Sequence, residues 1–248
     1  LIAPALNRDV KGLAVWIEHE DSIYGTSIAE LQRKLLEAAG AKVLGMGAHS
    51  ARALDLTDSV LRAKRADPDT YIQTGYVPDG NLLLRTARDQ GFAPRSMLFV
   101  ATGDTPETLS SLGAQYLEGL LVVSYPRPDV AASFGPGAQA YADAYVKKFG
   151  HDPIAPQGMT AYVGLQILLE AIAAAGSTEV AKVRAAAAGM DRPLHSYATG
   201  FGVKFDEHFQ NTRAVPTTIQ WQSGRPVTVF PATAAAPAAK LVPLSRRT

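Results

Sequence analysis

The side chains best suited to bind a small polar molecule lie in short segments that each follow an apolar run. They are Tyr24, Tyr76, Thr102, Gly103 and Asp104. An aromatic ring offers an apolar surface, whereas hydroxyls, a carboxylate and free N–H groups at helix N-termini offer hydrogen bonds. This combination suits a small polar or zwitterionic ligand with an apolar part. The alternative is that Tyr24 and Tyr76 only pack on loops and that Asp79 and Asp104 only cap helices.

Sequence motifs of common enzyme classes are not found. The chain has no G-x-S-x-G, no Walker A loop and no G-x-G-x-x-G after a predicted strand. It has no cysteine, which excludes disulfides, thiol catalysis and zinc held by cysteine. The five histidines are not spaced as metal ligands, so we expect them in solvated loops. We therefore predict no enzyme activity, no metal and no cofactor.

An acidic cluster follows the first apolar run, at Glu18, Glu20 and Asp21. Such a cluster could hold a cation or take part in acid–base chemistry. We interpret it instead as a solvated loop, because nothing else in the sequence supports either role.

Composition places the chain among ordinary globular proteins. Of its 248 residues, 47% are hydrophobic and 19% charged, and the net charge of +1 offers no general field for nucleic acid. Nucleic acid is therefore not expected as a partner. No continuous apolar run reaches the roughly 18 residues of a membrane helix. The length exceeds one small module but is short for two full α/β domains.

Up to Ser124 the chain alternates between short apolar runs and segments with helical spacing of apolar residues. Continuous apolar runs are typical of strands buried on both faces of a parallel sheet. Five such strands alternating with helices, the first helix at 27–39, predict an α/β fold with right-handed crossovers. Ligands of such sheets bind beyond the carboxyl ends of the strands, where the five candidate residues fall. The predicted strands are 12–17, 42–46, 69–74, 96–101 and 119–124.

The pattern changes after Ser124. The prolines of Tyr125–Pro128 indicate a crossover or hinge. Three predicted helices with no strand between them need a sheet to cover, so we expect them to pack on strands from an upstream part of a longer chain. The helices are predicted at 137–149, 157–175 and 178–188, and further strands at 202–205, 217–221 and 226–230.

Several segments carry a family resemblance. Residues 15–25 read V-W-I-E-H-E-D-S-I-Y-G, and residues 67–76 read D-P-D-T-Y-I-Q-T-G-Y. Residues 83–91 read L-L-R-T-A-R-D-Q-G, and residues 220–231 read Q-W-Q-S-G-R-P-V-T-V-F-P. In order and spacing, these segments resemble the substrate-binding proteins of branched-chain amino acid ABC transporters, which are type I periplasmic binding proteins. The resemblance extends over about residues 10 to 231.

The resemblance implies the type I periplasmic-binding-protein fold: two doubly wound α/β lobes with a hinge, here with lobe 1 incomplete. The missing piece would be the first half of lobe 1, on the order of 100 residues. The implied division is 1–10 hinge and end of lobe 1, 11–124 lobe 2, 125–212 the returning, mainly helical part of lobe 1, 213–231 the last strands of lobe 2, and 232–248 an irregular tail rich in Ala and Pro.

The resemblance also implies a function: the extracytoplasmic solute-binding component of an ABC importer. Such a protein binds an amino acid or a related carboxylate or amide in the cleft between its lobes and delivers it to a membrane permease. The implied location is the periplasm, or an extracellular, membrane-associated position. The alternative is a ligand-sensing domain of a regulator or receptor with the same fold.

Site residues carry over from the family only in part. Tyr24 matches the lobe 2 tyrosine that covers the ligand in amino-acid binders, and Tyr76 lies in the segment that gives another contact. Thr102, followed by Gly103, stands where those binders place an acidic residue for the ligand ammonium. Asp104 could serve that ammonium by a charge-assisted hydrogen bond. Otherwise the ligand would lack an amino group, as an aromatic or aliphatic carboxylate or an amide would.

Overall fold

A computed structural model describes residues 2, 9–127, 134–153, 157–232, 234–236 and 239–244. The chain divides into two compact units. The first, which we call the sheet unit, comprises Leu1–Ser124, Thr218–Phe230 and Ala238–Thr248. The second, the helical unit, comprises Tyr125–Thr217 and Pro231–Pro237. The predicted lobe boundaries stay a prediction, and the segment 1–10 assigned to a hinge lies almost wholly outside the described residues, as does Pro128.

Seven strands form one sheet in the order β2-β1-β3-β4-β5-β6-β7. The pairs β1–β2, β1–β3, β3–β4 and β4–β5 are parallel, whereas β6 and β7 form an antiparallel hairpin. The predicted α/β architecture with a parallel sheet is thus confirmed. The strands are β1 Ala14–Glu20, β2 Lys42–His49, β3 Thr70–Thr74, β4 Ser96–Val100, β5 Leu121–Ser124, β6 Thr217–Gln222 and β7 Arg225–Phe230.

Helices alternate with the first five strands, and three more lie in the helical unit. Apolar side chains from strands and helices meet in a core of the sheet unit that includes Tyr71, Leu84, Phe99 and Trp221. All five residues of β3 are buried, as expected for a strand covered on both faces. The helices are α1 Ile23–Ala38, α2 Thr57–Ala66, α3 Val77–Asp89, α4 Pro106–Leu112, α5 Ala114–Leu117, α6 Ala138–Phe149, α7 Gln157–Ala175 and α8 Val180–Ala188.

The junction between β1 and α1 differs from the prediction. The strand continues to Glu20 rather than ending at residue 17, and α1 begins at Ile23 rather than 27. Glu18 and Glu20 extend the strand because they pair in register with Gly47 and His49 of β2. The predicted solvated loop is therefore wrong for these two glutamates, which are 0% and 1% exposed.

In the helical unit, a smaller core forms around Phe134, Met159, Val163 and Tyr197. The predicted strand at 202–205 is wrong: Val203 and Phe205 form only isolated bridges, to Arg192 and Asn211. A tight turn interrupts strand pairing here, because the Asp206 N–H donates to the Gln210 carbonyl and the Phe209 N–H to the Asp206 carbonyl.

Helix α7 is long and apolar but little covered. Met159, Val163 and Ala171 are its buried residues, whereas Leu165 and Leu169 are each 55% exposed. By length and composition alone, α7 is the one described helix that is apolar enough to cross a membrane. It is not a continuous apolar run, because it contains Gln157, Thr160 and Glu170, and core helices of soluble proteins pass the same test.

Residues 239–244 contain no helix or strand, as predicted for the tail, yet they are bound to the sheet unit. The Gln220 side chain donates to the Val242 carbonyl at 2.8 Å and accepts from the Val242 N–H at 2.9 Å. Leu244 packs against the core of the sheet unit. The side-chain amide of Gln220 thus gives the backbone of Val242 the donor and the acceptor that a neighbouring strand would otherwise provide.

Candidate functional site

All five predicted site residues lie in the sheet unit, just beyond the carboxyl ends of β1, β3 and β4. Tyr24 is in the first turn of α1, and Tyr76 is the residue immediately before α3. Thr102, Gly103 and Asp104 form the loop between β4 and α4. Neighbouring parallel strands end at the same edge of a sheet, which is where ligands of α/β proteins bind.

Tyr24 and Tyr76 form an aromatic pair. Their ring centroids are 5.6 Å apart and their planes are tilted by 35°, within the range of favourable aromatic contacts. Tyr24 is half-buried, while 47% of Tyr76 is exposed. The pair therefore presents an apolar surface with two phenol groups to solvent.

Glu20 positions Tyr24 through the turn that begins α1. Its carboxylate accepts hydrogen bonds from the Ser22 N–H at 2.7 Å, the Ser22 hydroxyl at 2.6 Å and the Gly25 N–H at 2.7 Å. Burial alone would raise the pKa of Glu20, but the hydrogen bonds from Ser22 and Gly25 outweigh it, so the pKa lies below its usual value. A Cβ at position 25 would lie 2.2 Å from the Glu20 carbonyl oxygen, so the turn needs glycine.

Asp79 positions Tyr76 in a similar way. One carboxylate oxygen, Oδ1, accepts from the Tyr76 N–H at 2.9 Å in the first turn of α3. The other, Oδ2, lies 3.0 Å from Nε2 of His49, whose Nδ1 lies 3.1 Å from Glu18 Oε1. Asp79 thus acts as a helix cap, as one alternative predicted, and at the same time holds a predicted ligand residue.

His49 is buried between these two carboxylates rather than lying in a solvated loop as predicted. Burial would lower its pKa, but the hydrogen bonds to Asp79 and Glu18 and their charges raise the pKa to about 9. Both ring nitrogens are occupied, so this histidine has no free nitrogen for acid–base catalysis. Among the described residues, no group of three or more His, Asp or Glu side chains is arranged to hold a metal ion.

The loop after β4 is held by a different set of contacts. Gly103, at a φ of +91°, accepts a 2.7 Å hydrogen bond from the Trp221 indole through its carbonyl. Asp104, only 3% exposed, accepts from the Ser124 hydroxyl at 2.6 Å. Thr102 is fully buried beside the first turn of α3, and its hydroxyl oxygen finds no hydrogen-bond partner within the described part of the chain.

Sequence reasoning missed three members of this edge: Glu18, His49 and Gln73. Each is polar and stands at or near the end of a strand, and for Glu18 and His49 we expected solvent. Their position was the available signal in the sequence, because neighbouring parallel strands end at the same edge of a sheet. What could not be read from the sequence is that Glu18 and His49 contact each other and that Gln73 donates to Asp79.

A groove is found elsewhere, in the helical unit. It has a volume of about 490 Å³, lies along α7 and α8, and contains none of the predicted site residues. The Arg184 guanidinium stacks over the Phe209 ring at 3.7 Å on its wall. We assign no ligand to it, because small-molecule sites combine apolar walls with several polar groups that orient the ligand.

Comparison with protein families identifies relatives over most of the chain. The model of a family described as periplasmic binding protein matches residues 6–224. The Leu/Ile/Val-binding protein homolog 7 of Brucella melitensis is 34% identical over 235 residues, covering 94% of this chain and 59% of that protein. Homolog 8 of Brucella abortus is 33% identical, covering 94% and 58%. The chain thus spans about three fifths of the length of these curated relatives.

Solved structures share the fold. A leucine-binding protein from Thermotoga maritima superposes with a TM-score of 0.75 at 22% identity, over 92% of this chain and 63% of that one. A branched-chain amino acid transporter substrate-binding protein from Streptococcus pneumoniae, in complex with isoleucine, gives 0.68 at 16% identity, over 92% and 64%. The predicted type I periplasmic-binding-protein fold is therefore confirmed.

Proposed function

Since the chain belongs to the periplasmic binding protein family, we propose that it binds a small solute and hands it to a membrane permease. The solute binds at the edge of the sheet unit formed by Tyr24, Tyr76 and the loop Thr102–Asp104. No chemical change of the solute is part of this function. A solute-binding site needs a complementary shape and groups that form hydrogen bonds with the solute, and it needs no nucleophile or general base.

The Tyr24–Tyr76 pair is the observation that carries the proposal. Two tyrosine rings 5.6 Å apart, one of them 47% exposed, lie at the sheet edge where α/β proteins bind ligands. The backbone next to each ring is fixed by a buried carboxylate, since Glu20 accepts from the N–H of Gly25 and Asp79 accepts from the N–H of Tyr76. Rigid aromatic side chains of this kind supply much of the binding energy in many recognition sites.

For the ligand we propose a small amino acid or a related carboxylate or amide. The relatives from Brucella are named for leucine, isoleucine and valine, whose aliphatic side chains would suit an aromatic pair. An ammonium group of the ligand would bind Asp104 either in place of the Ser124 hydroxyl or in addition to it. The unpartnered hydroxyl of Thr102 is a second polar group within this loop.

The partner we propose is the permease of an ABC importer, and the location is the periplasm or the outer face of the cell membrane. Membership of the periplasmic binding protein family supports both proposals, and a protein of the same fold from Streptococcus pneumoniae is a transporter substrate-binding protein. Capture outside the membrane and transfer to a permease also explain why a binding site would need no catalytic groups.

Calorimetric titration with leucine, isoleucine, valine, aromatic acids and their amides tests the proposal. We expect saturable binding by at least one of them, and a ligand at 100 times its Kd should add about 2.7 kcal/mol to the free energy of unfolding. Tyr76→Ala should weaken binding by about 2 kcal/mol, roughly 30-fold, because the anchor ring is lost.

Tyr162→Ala is the matched control, since Tyr162 is 43% exposed but lies in the helical unit. It should leave the Kd unchanged. If none of these solutes binds, or if the bound solute is recovered chemically altered, the proposed function is wrong.

A further inference from the structure

Three buried charged side chains form a chain that the proposed ligand contacts do not use. His49, the last residue of β2, lies between Glu18 of β1 and Asp79 in the first turn of α3. The distances are 3.1 Å from Nδ1 to Glu18 Oε1 and 3.0 Å from Nε2 to Asp79 Oδ2. The exposed fractions are 6%, 0% and 1% for His49, Glu18 and Asp79.

The geometry fits a protonated imidazole. An imidazolium donates from both nitrogens, whereas a neutral ring has one donor and would turn a lone pair toward one of the carboxylates. Buried carboxylates are unfavourable unless they are paired and hydrogen-bonded. Two neutral donors complete the set: the Trp16 indole donates to Glu18 at 3.1 Å, and the Gln73 amide to Asp79 at 3.4 Å.

Asp79 connects this charged chain to the tyrosine pair. Its Oδ1 accepts from the Tyr76 N–H at 2.9 Å while its Oδ2 faces His49. The turn is packed closely on the same carboxylate, because a Cβ at position 75 would lie 2.1 Å from Asp79 Oδ2. A displacement of the Asp79 side chain would therefore move the backbone from which the Tyr76 ring extends.

We propose that His49 is a positioning residue for Tyr76: as a cation between Glu18 and Asp79, it fixes the carboxylate that anchors the Tyr76 backbone. The contribution to ligand affinity rests on the proposed function, whereas the link between His49 and Tyr76 does not. Tyr24 serves as a comparison, because its turn is held by the Glu20 carboxylate, and the Asp21 N–H of that turn donates to the backbone carbonyl of His49 at 2.9 Å rather than to its ring.

Two other ionisable groups near His49, Tyr71 and Glu20, have pKa values that keep each of them in one state around neutral and moderately alkaline pH. Burial first, and then the charge of Glu18, raise the pKa of Tyr71 on β3 well above its usual value, and Arg62 on α2 remains charged. Glu20, which is opposite His49 in the β1–β2 register, has a lowered pKa and remains ionised. His19 on β1, whose Nδ1 lies 2.8 Å from the Glu20 carbonyl oxygen, gives a separate ring signal.

The experiment is a ligand-free NMR titration of the whole chain from pH 6 to 10. The ring Cε1 signal of His49 reports its protonation, and the Cα signals of Tyr76 and Tyr24 report the two turns, since phenol ionisation hardly affects Cα. We expect His49 to titrate near pH 9 with Tyr76 following at the same midpoint, as the raised pKa indicates, and Tyr24 to show a smaller step, because the Asp79 carboxylate does not hold its turn.

His49→Gln is the test variant, because glutamine is similar in length but does not titrate. In this variant the Tyr76 Cα signal should lose its step between pH 6 and 10. A Tyr76 signal that stays constant in the wild-type chain while His49 titrates overturns the proposal, as does a His49 midpoint near 6.5. Should the variant fail to fold, the wild-type titration alone decides.

A binding measurement separates this proposal from the function itself. With L-leucine as the probe at pH 7, His49→Gln should weaken binding on the order of tenfold, because one charged hydrogen-bond partner of Asp79 is lost. If the wild-type chain binds neither leucine nor the other solutes tested, the proposed function fails while the titration still decides the role of His49. If leucine binds equally well to both proteins, positioning by His49 has no part in recognition.

Discussion

The sheet unit buries charged side chains, whereas the helical unit leaves apolar side chains of its helices exposed. The sheet unit encloses even charged groups, with Glu18, Glu20 and Asp79 at most 1% exposed and each accepting hydrogen bonds. In the helical unit, α8 has no buried residue, and the apolar helix α7 leaves Leu165 and Leu169 more than half exposed. Apolar sequence alone therefore does not produce burial; a helix face also needs a surface to cover it.

Ion pairs show the same contrast. His49 and its two carboxylate partners are almost inaccessible, so their interaction is little screened by solvent. In the helical unit, Lys204 and Asp191 form a 2.9 Å pair in which both side chains are more than half exposed. Exposed pairs contribute little to stability. The buried pairs of His49 thus lie beside the candidate site, and the helical unit offers an exposed pair for comparison.

The largest difference should appear when the same substitution is made in both units. Leu84→Ala removes a fully buried side chain from the core of the sheet unit and should cost about 2–5 kcal/mol. Leu168→Ala removes a side chain on α7 that is 48% exposed and should change the free energy of unfolding by less than about 0.5 kcal/mol. Urea unfolding followed by far-UV circular dichroism measures both.

Tryptophan fluorescence sharpens this test, because Trp16 and Trp221, the two tryptophans of the chain, both lie in the sheet unit. Leu84→Ala should lower the urea midpoint seen by fluorescence, and Leu168→Ala should not. Equal losses for the two variants would show that the face of α7 is as well packed as the core of the sheet unit.

The next effect is the pH dependence of the sheet unit. The pKa of His49 is about 9 in the folded chain, against 6.5 for an ordinary histidine, so its contribution is full below pH 6.5 and is lost as pH rises through 9. A pKa difference of this size corresponds to a contribution on the order of 3 kcal/mol to the free energy of unfolding. The fluorescence-detected urea midpoint of the wild-type chain should therefore fall between pH 6.5 and 10.

His49→Gln provides the control for that measurement. Its urea midpoint should be lower than that of the wild-type chain at pH 6.5 and should change much less up to pH 10. A wild-type midpoint that does not change over this interval would contradict a buried cation between Glu18 and Asp79.

The sheet unit was predictable from its sequence in outline but not at its polar edge. Five continuous apolar runs indicated the parallel strands, and each strand is found within a few residues of its predicted place. Glu18, Glu20 and His49 were misplaced in solvent. The partners of Glu18 and His49 come from another strand and from α3, which no local pattern shows, and Glu20 is satisfied by the turn that follows β1. Tyr24 and Tyr76 were singled out one at a time, since the 51 residues between them give no local sign that the rings meet. Their role as ligand residues, with that of Thr102, Gly103 and Asp104, stays a prediction.

The smallest effect on stability should come from the exposed face of α7, although its effect on association should be large. Leu165 and Leu169 are each 55% exposed, so replacing both by Gln removes little buried area and should change the free energy of unfolding by less than about 1 kcal/mol. Contiguous exposed apolar side chains promote association between copies. Sedimentation velocity at rising concentration should therefore show self-association of the wild-type chain and less of it for the double variant.

Lys147→Gln and Lys148→Gln on α6 change exposed polar side chains instead and form the matched control. A wild-type chain that remains monomeric at high concentration would mean that this face is covered in solution, and the contrast between the two units would then be smaller than their exposed fractions indicate.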